Sequence, residues 1–297
     1  MDEQDFEYLV PASVEEAIGL RCAYGDKARF ISGGTEVVPL MMRGRLEQTH
    51  LIELSRLDEL SGVAAHPRCH HIGASVTLTQ LQESPVILGY WRALAEAAAS
   101  IREPQVRNRG TIGGNVSHGV PSADLVPALL VFDAEVELAG QDGRRRVPLD
   151  EFLIGPYRTA LQANELVTEI KLPDPATDRG SAFQKLTKFG GSGLSVATAA
   201  AAVRTEAGRI THARVAIGSA GPVPRRIEAA EELLIGKSPT EDVLAQAGRM
   251  ASDAAEPRGG SIRATPAHRR RALQALAARA IAQAAERSGN QVTGAGK

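Results

Sequence analysis

Two glycine-rich turns constrain this chain more than any other feature: Ile31-Ser32-Gly33-Gly34-Thr35-Glu36 and Arg109-Gly110-Thr111-Ile112-Gly113-Gly114-Asn115. Each follows a segment that reads as buried regular structure, and each joins a Gly-Gly pair to a hydroxyl side chain. A Gly-Gly pair permits positive φ and leaves its N–H groups unshielded, so two such turns meeting in space would wrap an anion as long as a diphosphate. One Gly-Gly turn is ordinary, whereas two with adjacent threonines point to a dinucleotide. Neither turn has the G-x-G-x-x-G spacing of a Rossmann turn or the G-x-x-x-x-G-K of a P-loop, so both of those readings fail.

The charge balance narrows the partners. With 34 basic and 35 acidic residues the net charge is −1, which gives no long-range attraction for nucleic acid. No apolar run approaches the roughly eighteen residues that span a bilayer. The first residues are acidic and lead into Phe6-Glu7-Tyr8-Leu9-Val10 without a signal-peptide pattern, so a cytoplasmic protein is expected. Cys22 and Cys69 are the only cysteines, fewer than the about four thiolates an iron–sulfur cluster needs. His66, His70 and His71 surround Cys69, but along a strand alternate residues face opposite ways, so no metal site is expected.

Along the chain, Phe6–Val10 reads as a strand, and Ser13 with Glu16 forms a capping box that opens a helix through Tyr24. Ala28–Ile31 enters the first glycine turn and a short helix follows over Val37–Arg43: strand, glycine turn, helix is a phosphate-site topology. Thr49–Leu54 and Cys69–Ala74 are further strands, Thr77 caps a turn, and Val86–Ser100 has the alanine content of one buried helix leading to the second glycine turn. Ala134–Ala139 and Leu166–Leu172 read as strands, and Asp174–Gly180 as a polar linker. Beyond it come long strands over Ser195–Arg204 and Ile210–Ser219, then helices over Ile227–Ile235, Thr240–Ala255 and Pro266–Arg287. Arg269, Arg270, Arg271, Arg279 and Arg287 on the last helix read as a basic outer side over an apolar stripe, turned toward a partner subunit rather than nucleic acid. The expected organisation is residues 1–54 as a first lobe, 55–176 as a second, 177–287 as a C-terminal α+β domain, and 288–297 as a disordered tail.

These residues carry a family resemblance. Ile31 to Pro39, Arg107-Asn108-Arg109 through Asn115, and Pro121-Ser122-Ala123-Asp124-Leu125 resemble the two FAD motifs of the flavin (medium) subunit of molybdenum hydroxylases, the xanthine dehydrogenase, carbon monoxide dehydrogenase and aldehyde oxidoreductase group. Gly155-Pro156-Tyr157-Arg158 and Ser181-Ala182-Phe183 with Lys185 extend the likeness over nearly the whole chain. The resemblance implies an α+β fold: a two-lobed vanillyl-alcohol-oxidase (PCMH)-type FAD-binding domain, then a smaller domain with a three-stranded sheet and helices.

It also implies a contact set for FAD. Ser32, Gly33, Gly34, Thr35, Glu36 and Val37 would run along the diphosphate after Phe30 and Ile31, and Gly110, Thr111, Gly113, Gly114, Asn115 and Ser117 would close from the other lobe. Ile101 would pack near the adenine, Ala123 and Asp124 would meet the nucleotide part, Leu166 would join the set, and Lys185 would bring a cation near the flavin ring. Read from the residues alone, Asp124 is equally a helix cap and Lys185 a solvated strand charge. Glu36 is expected to face away from the diphosphate, His118 to face solvent, and Phe189-Gly190-Gly191-Ser192-Gly193-Leu194 to be a flexible turn where relatives carry an acidic residue near the flavin.

The functional reading is an electron-transfer subunit with no catalytic acid–base residue and no metal of its own. It would take electrons from a molybdopterin-binding large subunit through a 2Fe–2S small subunit and deliver them to an external acceptor, in a heterotrimer or a dimer of heterotrimers. A self-contained FAD oxidoreductase of the same fold and a flavin-free scaffold or nucleic-acid module are the alternatives.

Overall fold

The computed structural model describes residues 6–173, 179–190 and 192–294, with only the backbone described for Ser192 and residues 289–294. The first unit is built from β1 (Glu7–Leu9), α1 (Val14–Tyr24), β2 (Ala28–Ile31), α2 (Val37–Met42) and β3 (His50–Glu53). Its strands form an all-parallel sheet in the order β1-β3-β2. The α1 start follows the sequence signal: Ser13 Oγ accepts from the Glu16 N–H at 3.1 Å, and Glu16 Oε2 accepts from the Ala12 N–H at 2.6 Å.

The second unit opens with β4 (Val63–His66) and β5 (Cys69–Gly73), then α3 (Leu78–Glu83), α4 (Pro85–Tyr90), α5 (Arg92–Ala99), α6 (Pro104–Arg107), α7 (Ile112–Ser117) and α8 (Leu125–Leu130). After these come β6 (Glu135–Gly140), β7 (Gly143–Pro148), α9 (Leu149–Phe152), β8 (Leu153–Gly155), β9 (Arg158–Thr159) and β10 (Leu166–Pro173). The main sheet is antiparallel in the order β4-β5-β10-β6-β7.

The single helix expected over Val86–Ser100 is broken at Trp91 (φ −128°, ψ 43°). The break sinks the indole into the core, where Nε1 donates to His70 Nδ1 at 2.8 Å and the ring packs edge-on to Phe132. A buried indole N–H needs an acceptor, and this one overrides helix propensity.

The C-terminal unit carries β11 (Arg179–Phe189), β12 (Ser192–Glu206), β13 (Arg209–Gly218) and β14 (Arg225–Arg226), antiparallel in that order, with α10 (Glu228–Leu234), α11 (Glu241–Asp253) and α12 (Pro266–Gly294). The sheet has a short fourth strand beyond the three expected, and β12 starts at Ser192 rather than Ser195. Of the expected linker, Arg179 and Gly180 belong to β11, and 174–178 lie outside the described residues.

The helix expected to stop at Arg287 continues as α12 to Gly294, where a disordered tail was expected from residue 288; 295–297 lie outside the described residues. Ser288 is fully buried and its Oγ accepts from the Thr205 N–H at 2.9 Å, which fastens this end to β12. Two of the basic residues on α12 are internal anchors, not an outer face. Buried Arg269 donates to the carbonyls of Val196 and Ser219, and Arg287 donates to the Ser181 carbonyl and to Glu96 on α5 at 2.6 Å. Arg270, Arg271 and Arg279 remain exposed.

One buried histidine, His70, and one half-buried, His212, set a pH dependence. Burial, then the neighbouring charges of His66 and His71, holds His70 below its ordinary value of 6.5, and burial, then Arg179 and Arg214, does the same for His212. Above 6.5 folded and unfolded chains both carry these rings neutral; below it the unfolded chain binds protons that the fold refuses, so stability falls. The urea midpoint should hold steady down to about pH 7 and decline toward about pH 5. His70→Asn, which does not titrate, should flatten part of that decline; a midpoint constant across the range contradicts the assignment.

Candidate functional site: a cleft between two glycine turns

The two turns meet. A Cβ built on Gly33 would lie 1.8 Å from the carbonyl oxygen of Arg109, so Gly33 is glycine because the second turn's backbone occupies its side-chain space. Gly34 adopts φ +74°, which reverses the chain into α2, and the Val38 N–H donates to the Gly34 carbonyl at 2.9 Å. Ser32 Oγ lies 3.1 Å from Ser75 Oγ, and the Leu78 N–H donates to the Gly110 carbonyl at 2.9 Å. These bonds lock both turns to the start of α3.

Between the turns lies a cleft of about 480 Å³. It brings together Phe30, Ile31, Ser32, Gly33, Gly34, Thr35, Glu36, Val37, Ile101, Gly110, Thr111, Gly114, Asn115, Ser117, Ala123, Asp124 and Lys185. Two residues of the expected set are not in its wall. Gly113 sits behind it, its N–H donating to the Ala74 carbonyl at 2.9 Å, where a Cβ would come 2.6 Å from the Ala74 Cβ. Leu166 pairs with Ala139 at the start of β10 and is buried in the cluster of Val14, Ala17 and Ile18, because that end of the strand faces α1.

The turns are chemically unequal. The N–H groups of Ser32 to Glu36 donate to no other described residue. In the second turn the Ile112 N–H goes to the Val76 carbonyl at 3.0 Å, Gly113 to Ala74, and Gly114 to Thr111 Oγ1 at 3.2 Å. The first turn therefore supplies most of the backbone donors, and the second supplies shape, side chains and the N–H of Thr111. This narrows the expectation that both offer unshielded N–H groups: a threonine N-cap and β-bridge-like contacts take up those of Ile112, Gly113 and Gly114, and only the Thr111 N–H, like those of Ser32 to Glu36, donates to no other described residue.

At the far side Asp124 Oδ2 accepts from Lys185 Nζ at 2.6 Å, with the two side chains 8% and 7% exposed. Asp124 stands at the N-cap position of α8 but makes no capping bond, and Lys185 is not solvated. Burial pushes the Asp124 carboxyl above its ordinary value against the opposing pull of Lys185. Asp124 Oδ1 and Asn115 Oδ1 are buried acceptors without a partner. The Ile101 carbonyl is held by Arg107 Nη1 at 2.8 Å, which fixes the loop that offers Ile101 to the cleft.

Sequence reasoning overlooked Arg29, Glu103 and Arg263, all in the cleft wall, and quoted Tyr157 and Leu194 only within longer motifs without assigning them to the cofactor. Arg263 lies in the loop Arg258-Gly259-Gly260-Ser261-Ile262-Arg263, which has no periodic signal and two arginines, so nothing local in the sequence marks it for the cleft. Gly193 and Leu194 reach the cleft from the β11–β12 hairpin, where the Gly193 N–H donates to Glu103 at 3.3 Å; Gly191 lies outside the described residues. His118 is half-buried against Tyr157, not solvent-facing, and its Nε2 lies 3.8 Å from Glu36 Oε2. His66, His70, His71 and Cys69 form no metal-holding group among the described residues.

This clasp of two lobes, with a C-terminal α+β domain behind it, defines a flavin-binding subunit. Residues 4–175 match the family model "FAD binding domain in molybdopterin dehydrogenase", and residues 181–284 match "CO dehydrogenase flavoprotein C-terminal domain". The chain belongs to the FAD-binding subunits of the molybdenum hydroxylases, and is the FAD-binding part of an oxidoreductase. It is 36% identical to the carbon monoxide dehydrogenase medium chain of Hydrogenophaga pseudoflava over 85% of this chain and 88% of that one. It is likewise 36% identical to the nicotinate dehydrogenase FAD-subunit of Eubacterium barkeri, over 81% of this chain and 83% of the other. A solved carbon monoxide dehydrogenase from H. pseudoflava superposes with a TM-score of 0.92 at 35% identity, covering 97% of this chain and 99% of that one. No helix among the described residues is long and apolar enough to cross a membrane.

Proposed function

We propose that this chain is the electron-relay subunit of a cytoplasmic molybdenum hydroxylase. It takes reducing equivalents that a molybdopterin-binding large subunit removes from its substrate and a 2Fe–2S small subunit passes on, and delivers them to an external acceptor. The observation that carries the reading is the cleft itself: a row of free N–H donors on one wall and a buried, half-satisfied ion pair on the other. With two cysteines in the chain, the clusters belong to another polypeptide.

The cleft residues fit FAD. Ser32 to Glu36 present donors for a diphosphate, and the unpartnered Oδ1 atoms of Asp124 and Asn115 call for donors such as ribose hydroxyls. The chemistry FAD supplies when bound is uptake and release of electrons singly or in pairs. The Lys185 ammonium keeps a positive charge at the inner end, which favours negative charge developing there. Leu78, Ile101 and Val106 give that cleft an apolar stretch of wall.

Two measurements test this. The tagged chain purified from its host should carry FAD and bring with it one large and one cysteine-rich subunit. Recovery of a lone chain that turns over a substrate by itself would overturn the relay. Replacing Gly114 by Leu should strip the flavin, because the added side chain enters the cleft wall beside Thr111 Oγ1, 3.0 Å from a Cβ there; a normal flavin content would contradict the site.

A further inference from the structure

Outside the cleft, the outer face of the main sheet carries three side chains in a row. Cys69 and His71 are two apart on β5 and so share a face, and Glu169 reaches them from the neighbouring β10. Cys69 Sγ lies 3.1 Å from His71 Nε2, and His71 Nδ1 lies 2.5 Å from Glu169 Oε1. A carboxylate only accepts, so the Nδ1–H donates to Glu169, and this leaves Nε2 with its lone pair toward the thiol. The order is nucleophile, base, orienting carboxylate.

The surroundings supply no competing acid for the imidazole. Exposed His66 on β4 packs edge-on to His71 with ring centroids 5.3 Å apart; Lys171, opposite His71 on β10, is paired with Glu135 of β6 at 2.7 Å; Arg146 of β7 stands 4.0 Å from Glu169. Cys69 is half-buried and lines neither the cleft between the glycine turns nor the cavity beside it around Pro121 and Arg269. Cys22 is a contrast within the same chain: also half-buried, it packs on the apolar cluster of α1 with no hydrogen-bonding partner among the described residues.

We infer that Cys69 is a base-activated thiol that reacts with hydrogen peroxide, a small electrophile needing no pocket, and is an oxidation site of this subunit. In the step, the thiol proton passes to His71 Nε2 as sulfur attacks one peroxide oxygen. The O–O bond breaks, sulfur is oxidised by two electrons to a sulfenic acid, and the leaving hydroxide takes the proton from His71 to become water. One thiol and one peroxide give one sulfenic acid and one water. This inference stands apart from flavin binding.

The test treats the purified complex with hydrogen peroxide, traps sulfenic acid with a cyclic dione and quantifies the Cys69 and Cys22 peptides by mass spectrometry. Cys69 should be trapped at least about tenfold faster than Cys22. His71→Ala and Glu169→Gln should lower the Cys69 rate by about tenfold or more with flavin content unchanged, and added imidazole should restore part of the loss in His71→Ala. Should His71→Ala fail to fold, the near-isosteric Glu169→Gln carries the comparison alone. Equal rates at the two cysteines, or a Cys69 rate indifferent to these substitutions in folded protein, overturns the inference.

Discussion

A Gly33→Ala chain is expected to fold with a weakened junction between its lobes and to purify without flavin. The alanine methyl has no room: its carbon would lie 1.8 Å from the Arg109 carbonyl oxygen and 2.6 Å from the carbonyl carbon, both backbone atoms that no rotamer change can move. Either the first turn lifts away from the second or Arg109-Gly110 retreats, and the Gly110 N–H bond to the Val106 carbonyl at 2.6 Å resists that retreat. The cost of such overpacking is on the order of 3 kcal/mol. Because the displaced segment carries the free N–H groups of Ser32 to Glu36, the loss should be larger in cofactor retention than in stability. Gly19→Ala is the control: nothing stands within 4 Å of a Cβ there, and within α1 the change should leave flavin intact and add up to about 1 kcal/mol. Flavin content by absorbance and urea melts read both variants. A flavin-replete Gly33→Ala protein would remove the junction of turns from the account of binding.

Much of this site was legible because its signals are local. The strand, glycine turn and helix over Ala28 to Met42 follow from adjacent residues, and Thr77, expected to cap a turn, caps α3, where Gln80 completes a capping box that the sequence reading did not include. What stayed hidden depends on partners distant in sequence. Trp91 breaks a helix that its own neighbourhood favours because His70, on a strand of another layer, takes its indole proton. Arg269 and Arg287 look like an exposed basic face in sequence, and only the carbonyls of Ser181, Val196 and Ser219 reveal them as internal fasteners. Leu166 shows the reverse: an apolar residue assigned to the cofactor by resemblance, yet turned by its strand register into the cluster under α1.

The unequal glycine turns have the same origin. In sequence both are Gly-Gly with a threonine close by, and nothing distinguishes their donors. The second turn, however, starts α7 beside the end of β5, so Val76, Ala74 and Thr111 take the N–H groups of Ile112, Gly113 and Gly114, whereas those of Ser32 to Glu36 in the first turn donate to no other described residue. Which turn keeps the larger set of free donors is thus decided by packing, and the helix N-cap removes from the second part of what its composition alone promised.

Lys185→Met should be the most costly change in the interior of the cleft. The pair it breaks is buried on both sides, with side chains 7% and 8% exposed and 2.6 Å between Nζ and Oδ2. Removing the ammonium leaves the Asp124 carboxylate in a low-dielectric site with one oxygen already unpartnered, a loss of about 3–5 kcal/mol for a buried pair. The sign with pH is distinctive. Burial already holds the Asp124 carboxyl above its ordinary value while Lys185 pulls it down; without Lys185 the carboxyl rises further and takes a proton in the fold before it does in the unfolded chain. The deficit should therefore be largest at high pH and shrink as pH falls through the raised value, opposite to the histidine effect on the parent protein. The double variant Asp124→Asn, Lys185→Met removes both charges and should recover most of the lost stability, while Asp124→Asn alone strands a buried ammonium and should not. Urea melts of the three variants across pH make the comparison. If Lys185→Met matches the parent at every pH, the pair contributes nothing and Lys185 is free to serve the cofactor alone; if only the double variant recovers, the cleft holds its cation at the expense of stability, as an electrostatic site does.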